Sequence, residues 1–303
     1  KRPPCRNVST ADLDRDALLE LLDADAAPAL DVRLSLKQQE AALLCALQTQ
    51  AATEDARYGR LLVLTGGPGT GKTFTVREIV RQWAFRGKRV QLACPTARAA
   101  AVLSAAVTMK ASTIHRLLRY NPQSDAFEHD SLNPIEADAL VIDEASMLDM
   151  VLASRLLDAV RDDCVLLFVG DPDQLPSVGP GSLLSELLTS ERVPRVCLTA
   201  IFRQDPTGDI ARNAQLVHQG ISPRYLRRYA PSELPLSQRP GGCVLVQTAT
   251  ELEATAVICT LLVDWLGACG YNVLDEVQVL SPRKAGCAGT NELNGRLKRR
   301  LNP

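Results

Sequence analysis

With 303 residues, 46% of them hydrophobic and 23% charged, the chain has the composition of an average globular protein, which argues against a disordered or fibrous class. The 34 Lys and Arg nearly cancel the 35 Asp and Glu, so no global positive field advertises nucleic acid, and any such site must be a local groove. Nine scattered cysteines without a C-x-x-C pair, beside three histidines, argue against a zinc site; they are expected to be small buried thiols in a reducing compartment. The N-terminal KRPPCRNVST lacks an apolar signal segment, and no run reaches the ~18 apolar residues of a membrane span. A soluble protein of the cytoplasm or nucleoid is expected.

From residue 61 onward, short apolar runs alternate with longer amphipathic stretches, the pattern of an α/β parallel sheet covered by helices on both faces. The runs predict strands over 61–65, 89–94, 138–143, 164–170 and 195–199. Helical spacing of Leu, Val and Ala predicts helices over 72–86, 96–107, 146–161 and 181–190. The polar stretch RYNPQSDAFEHDSLNPIEAD at 119–138 reads as a surface hairpin or loop, long for an ordinary connection. After residue 200 a second α/β unit begins, with a helix near 207–219, a Pro-rich stretch, a strand at 243–247, a helix at 250–267 and a strand at 276–280. Two or three strands are few for an open sheet.

GGPGTGKT at 66–73 fits the G-x-x-x-x-G-K-[ST] phosphate loop and lies between a predicted strand and a predicted helix. Gly67, Gly69 and Gly71, interleaved with Pro68 and Thr70, let backbone amides approach phosphate oxygens at the positive helix end. Lys72 would reach the β and γ phosphates of ATP, and the Thr73 hydroxyl would ligate Mg²⁺. Hydrolysis also needs a carboxylate for the metal and a group that orients water. ALVIDEASMLD at 139–149 offers Asp143 for the first and Glu144 for the second. In LLFVGDPDQLPSVGPGSLLSELL at 166–188, Gln174 can hydrogen-bond a γ-phosphate oxygen and a neighbour, although turn chemistry alone explains Gly170, Asp171 and Pro172.

These residues, in this order, resemble the helicases of superfamily 1, and within them the RecD-like group, the exodeoxyribonuclease V alpha-subunit type. The resemblance covers most of residues 34 to 303. LSLKQQEAALLCAL is similar to the family's adenine-reading segment, with Gln38 at the glutamine position. LACPTARAAAVLS and ASTIHRLL resemble the two segments that touch single-stranded DNA, giving Pro95, Thr96, Arg98, Thr113 and His115 as contacts. LTAIFRQ puts Arg203 where the family has an arginine that contacts the γ-phosphate from the second domain, and VQVLSPRKAGCAGTNELN with LNP is characteristic of the RecD-like branch. From the residues themselves, Thr96, Thr113 and His115 suit a grip on a phosphodiester backbone without reading sequence, with helix capping as the alternative.

The resemblance implies a P-loop NTPase (RecA-like) domain at 34–200 with a hairpin insertion near 119–138, an N-terminal extension at 1–33, and an incomplete second RecA-like domain at 201–303. It implies an ATP- and Mg²⁺-dependent motor that moves 5′ to 3′ on single-stranded DNA, at duplex ends or forks, in recombination or repair, with other repair subunits as partners. It also suggests that Arg283 and Lys284 line the exit of the DNA track. Two departures stand out: Ala97 replaces the family's usual Gly, and the family's later segments do not follow Pro303, so the chain reads as C-terminally truncated. The alternatives are a catalytically weak, nucleotide-gated DNA-binding or assembly subunit, and a P-loop switch unrelated to nucleic acid.

Overall fold

The computed structural model describes residues 31, 33–50, 60–190, 192–200, 202, 208–233 and 242–301. The chain divides into two compact units, Lys1–Gln204 and Asp205–Pro303.

In the first unit, helix α1 (Leu36–Gln50) leads to strand β1 (Leu61–Gly66), helix α2 (Lys72–Phe85), strand β2 (Val90–Cys94) and helix α3 (Ala97–Val107). Strand β3 (Ala111–Thr113) and the one-turn helix α4 (Ile114–Leu117) follow, then the short strands β4 (Tyr120–Asn121) and β5 (Ala126–Phe127). Strand β6 (Ala139–Ile142), helix α5 (Met150–Asp158), strand β7 (Val165–Gly170), helix α6 (Leu183–Thr189) and strand β8 (Arg195–Leu198) complete it.

Six strands form one sheet in the order β3-β2-β6-β7-β1-β8, and every pairing is parallel. Strands buried on both faces need continuous apolar sequence, and β6 and β7 are buried at every position. Alternation along the strands then sorts the core. Leu62 and Leu64 of β1 pack with Val141 and Leu167 against α1, α2 and α3, whereas Val63, Ile142 and Phe168 face Ile114, Leu156 and Leu184 from α4, α5 and α6. The large central residue of the first layer is Trp83, fully buried, whose indole N–H donates to the Cys45 carbonyl at 3.0 Å.

Each predicted strand of this unit is present: β1 runs one residue longer than expected, and the other four are one or two residues shorter. The 119–138 segment contains an antiparallel hairpin, β4 with β5, in which Tyr120 faces Phe127. The predicted helix over 146–161 instead begins as a 3₁₀ turn at Ala145–Met147 and becomes α-helical only at Met150, where the Asp149 carboxylate accepts from the Leu152 amide at 2.8 Å. Sequence patterning gave no sign of β3, three residues long and too short for an apolar run.

The second unit contains helix α7 (Asp209–His218), a parallel pair made of β9 (Arg227–Tyr229) and β10 (Val244–Val246), helix α8 (Glu251–Thr260) running on as a π turn over Leu261–Leu266, the single turn α9 (Val273–Glu276) and helix α10 (Thr290–Leu301). Its buried apolar residues Cys259, Leu262, Trp265 and Leu293 come from α8, its π turn and α10. The strand expected at 276–280 is not formed: 277–280 has no ladder partner among the described residues, and Leu280 is exposed. An apolar run becomes a strand only where a neighbour supplies hydrogen bonds. The expectation for the cysteines is corrected too, since Cys45, Cys94, Cys164 and Cys259 are buried but Cys197 and Cys287 are exposed. No described helix is long and apolar enough to cross a membrane.

Replacing Trp83 with alanine removes the largest side chain of the first core layer and leaves a cavity between α1 and α2. The expected loss is about 3–5 kcal/mol, read as a fall in the urea midpoint at unchanged m-value.

Candidate nucleotide and nucleic-acid sites

Parallel strands place all their carboxyl ends on one edge, where open α/β sheets bind ligands. That edge carries Gly66 at the end of β1, Gly170 at the end of β7, Ile142 at the end of β6, Cys94 at the end of β2 and Thr113 at the end of β3.

The phosphate loop joins β1 to α2. Gly69 and Gly71 have φ of 82° and 84°, the left-handed region that a Cβ disfavours. A Cβ on Gly71 would also stand 2.4 Å from the Gln38 side-chain nitrogen. Gly71 caps α2 without any side-chain bond, and the first-turn amides have no intrahelical carbonyl, so the helix opens with bare donors. The Lys72 ammonium folds back onto the carbonyls of Gly66 at 2.6 Å and Gly67 at 3.1 Å, holding its charge in the loop. Thr70 Oγ1 donates to the Gly67 carbonyl at 2.9 Å, and Thr73 lies half-buried in the first helical turn.

Gln38, expected to read adenine, is 98% buried and braces this loop. Its Oε1 accepts from the Ser35 amide at 2.8 Å and its Nε2 donates to the Thr70 carbonyl at 3.2 Å. Beside it lies a cavity of about 320 Å³ lined by Leu36, Thr70, Leu198 and Phe202. Phe202 was not singled out by the sequence; its amide donates to the Gly69 carbonyl at 2.8 Å, tying the end of the unit to the loop. The signal was its place beside Arg203, which itself lies outside the described residues.

One strand beyond β7, Asp143 follows the tip of β6. Burial pushes its carboxyl up to about 6, against the opposing bond from the Glu144 amide at 2.9 Å; the neighbouring Glu144 charge raises it further and Lys72 lowers it. Glu144 stands at φ 56°, a left-handed conformation uncommon outside glycine. Between the two, Asp171 is 99% buried and closes the turn after β7, accepting from the Asp173 amide at 3.0 Å. Gln174 is exposed on that turn, its amide donating to the Asp171 carbonyl at 3.2 Å. A Cβ on Gly170 would meet Leu184 at 2.7 Å, so the bare backbone there lets α6 pack under the turn.

Pro95, Thr96 and Arg98 follow β2, and Thr113 and His115 lie at the end of β3. Both threonines cap helices: Thr96 Oγ1 accepts from the Ala99 amide and Thr113 Oγ1 from the Arg116 amide, each at 3.2 Å. Each hydroxyl proton is left as a donor beside a helix N-terminus. Cys94 and Thr113 are register partners, so Thr96 lies two residues beyond the partner of Thr113 on the adjoining strand. His115 packs instead against the hairpin, its ring centroid 5.5 Å from Tyr120 and 6.0 Å from Phe127. The two groups of residues adjoin where the Asp143 amide donates to the Ala93 carbonyl at 3.0 Å. There the Cys94 thiol is pushed up to about 12, by burial first and then by Asp143 and Glu144. In the second unit Arg283 pairs with Glu251 while Lys284 is exposed.

The family described as AAA domain matches residues 48–180, the stretch that holds the phosphate loop and Asp143. The ATP-dependent RecD2 DNA helicase of Deinococcus radiodurans is 36% identical over 257 residues, 84% of this chain and 33% of that protein. The RecBCD enzyme subunit RecD of Mycolicibacterium smegmatis is 41% identical over 165 residues, 46% of this chain and 30% of that one. Over most of its length the sequence is similar to RecD-type proteins. This RecD-like chain spans about a third of the length of these relatives. Among solved structures, a Pif1 helicase from Candida albicans superposes with a TM-score of 0.47 at 21% identity, over 64% of this chain and 46% of that one. The RecA-like assignment of the first unit stands on the sheet order and the loop geometry described above.

Asp143 gives the RecD-like chain a measurable pH signature. Above pH 6 the folded and unfolded chains both carry its charge, and the folded one bears the desolvation cost. Between about 6 and the ordinary 3.8 the folded chain takes up the proton first, so that cost fades as pH falls. In metal-free buffer at pH 8, Asp143→Asn is expected to be more stable than the parent by up to about 3 kcal/mol. Thermal melts across pH 8 to 4 should show the gap closing through pH 6.

Proposed function

We propose that this chain is the ATP-hydrolysing motor region of a DNA helicase that tracks single-stranded DNA from 5′ to 3′ in recombination or repair. The observation that carries the proposal is the single sheet edge on which a phosphate loop, a buried carboxylate and two capped helix N-termini stand, with the Asp143 amide bonded to Ala93. The sequence likeness to the Deinococcus and Mycolicibacterium proteins supports DNA as the second ligand.

In this reading the triphosphate of ATP lies on the first-turn amides of α2, and Lys72 turns its ammonium from the Gly66 and Gly67 carbonyls to phosphate oxygens. The cavity beside Leu36, Leu198 and Phe202 takes the adenine ring, with Gln38 holding the loop and the base pocket together. Thr73 and Asp143 fit a divalent cation, because a carboxylate whose burial raises it to about 6 gains most from a positive neighbour. Mg²⁺ held there would offset phosphate charge during transfer. Glu144 orients the attacking water and accepts its proton, and its left-handed backbone lets it project from the strand end rather than fold into the sheet. Gln174 on the adjoining turn is assigned to the γ-phosphate, and Arg203, which lies outside the described residues, is assigned there only by its place in LTAIFRQ.

The Thr96 and Thr113 hydroxyls, with Arg98 alongside, hold the DNA backbone. Thr96 and the carboxylates follow neighbouring strands, so a shift at the phosphates on hydrolysis reaches the DNA grip across one ladder step, about 4.8 Å. Such a coupling needs no separate relay.

Lys72→Ala should abolish nearly all ATP turnover, and Glu144→Gln should keep ATP bound while blocking hydrolysis. Steady-state phosphate release with and without single-stranded DNA tests both. Turnover that ignores DNA would favour a switch, and DNA binding without turnover an assembly subunit. The Thr96→Ala, Thr113→Ala double variant should weaken single-strand binding and leave ATP affinity intact, measured by fluorescence anisotropy and by nucleotide titration.

A further inference from the structure

The β4–β5 hairpin and the chain that leads from it to β6 separate two cavities of opposite charge, and His129 lines both. The cavity on one flank, about 510 Å³, is bordered by the carboxylates of Asp125, Asp130, Asp149 and Asp158, with Arg155 as its only Lys or Arg among the described lining residues. The other, about 600 Å³, is bordered by Lys110, Arg116 and Arg119, with the Ser112 hydroxyl and the Gln91 amide between them. Its one carboxylate, Glu136, lies 3.5 Å from Arg89, which also bonds Asp138. Of the three cations, Arg119 pairs with Glu128 at 3.1 Å. Lys110 and Arg116 are exposed and have no carboxylate in ion-pair range among the described residues.

We infer that this basic cavity is a second nucleic-acid site, taking the phosphodiester backbone of a strand other than the one gripped at Thr96 and Thr113. The inference rests on the motor reading above and extends it. Three donor-rich cations around a polar hollow match a phosphate group, and in a chain of net charge −1 they are not the sampling of a uniformly basic surface. Position argues the same way. Lys110 immediately precedes β3, the edge strand whose last residue is Thr113, and Arg116 lies on α4, the helix that Thr113 caps. A polyanion leaving the single-strand grip meets the hairpin there, and the acidic flank repels it while the basic flank attracts it. Arg119 stands at φ 53° between α4 and the hairpin, and its guanidinium pairs with Glu128 at the rim. The contacts are to phosphate, without base edges, so the site is expected to be indifferent to sequence.

The test compares parent chain and a Lys110→Gln, Arg116→Gln double variant on three probes: a 5′-tailed fork with two unpaired arms, a blunt duplex, and a single strand. Binding is followed by anisotropy from 50 to 200 mM salt. For the parent, the fork should bind more tightly and with a steeper salt slope than the single strand. The double variant should lose about 2 from that slope for the fork and roughly tenfold in affinity, with single-strand binding and DNA-stimulated ATP turnover unchanged. A matching loss on the blunt duplex assigns the phosphates to parental duplex, and a loss confined to the fork assigns them to the displaced strand. The inference is overturned if the variant binds the fork like the parent, or if it loses fork and single strand alike, which would make these cations part of the first grip. Failure of the motor reading shows elsewhere, as absence of DNA-stimulated turnover in the parent itself. Unchanged thermal melts of the double variant exclude misfolding as the source of any loss.

Discussion

The hydrogen bond from the Asp143 amide to the Ala93 carbonyl depends on β6 lying between β2 and β7, and most of what this protein is equipped to do depends on that neighbourhood. Six parallel strands put six carboxyl ends on one edge, but the order of the strands decides which ends are adjacent. Here the sequence-distant β7 is inserted between the phosphate loop and Asp143, and β6 then adjoins the strand that leads into Thr96. A ladder is stiff along its hydrogen bonds, so displacement at one tip is carried to the next rather than absorbed. The phosphate loop, Asp143 and the Thr96 cap therefore stand on one sheet.

Burial is the second constraint. Asp143 is held in the core edge with a carboxyl pushed up to about 6, and Asp171 beside it is almost wholly buried. Placing acids there lowers the stability of the isolated fold, an expense justified where a cation is to be bound. The same logic applies to the strained backbone of Glu144 and to the two left-handed glycines of the phosphate loop, which hold donors and acceptors in place before any ligand arrives. Gln38 and Phe202, from opposite ends of the first unit, are both tied to that loop, so the loop is braced by the termini of its own domain.

Charge is arranged locally rather than globally. The near-zero balance of the chain conceals two flanks of opposite sign on either side of a short hairpin. Such an arrangement guides a polyanion by direction, and screening by salt limits it to the last Debye length, about 8–10 Å.

Five of the six sheet strands of the first unit, the phosphate loop and the Asp143–Glu144 pair were legible in the sequence, because each is written in contiguous residues. Continuous apolar runs at β1, β6 and β7 suit strands buried on both faces, and a glycine-rich turn before a lysine suits a phosphate loop. It also supported the RecD-like resemblance, since that rests on the order of motifs along the chain. Tertiary structure alone decided the rest. That Gln38 braces a loop 32 residues away, that Phe202 anchors to Gly69, and that Asp171 is buried are facts of packing between distant segments. The apolar 276–280 run failed as a strand because no neighbour met it, and three-residue β3 formed because β2 did. The three cations of the basic cavity lie within residues 110–119, but their convergence with Gln91 and Glu136 around one hollow comes only with the fold. Local pattern specifies what a segment can become; the hydrogen-bonding partner and the burial that settle which possibility is realised come only with the assembled fold.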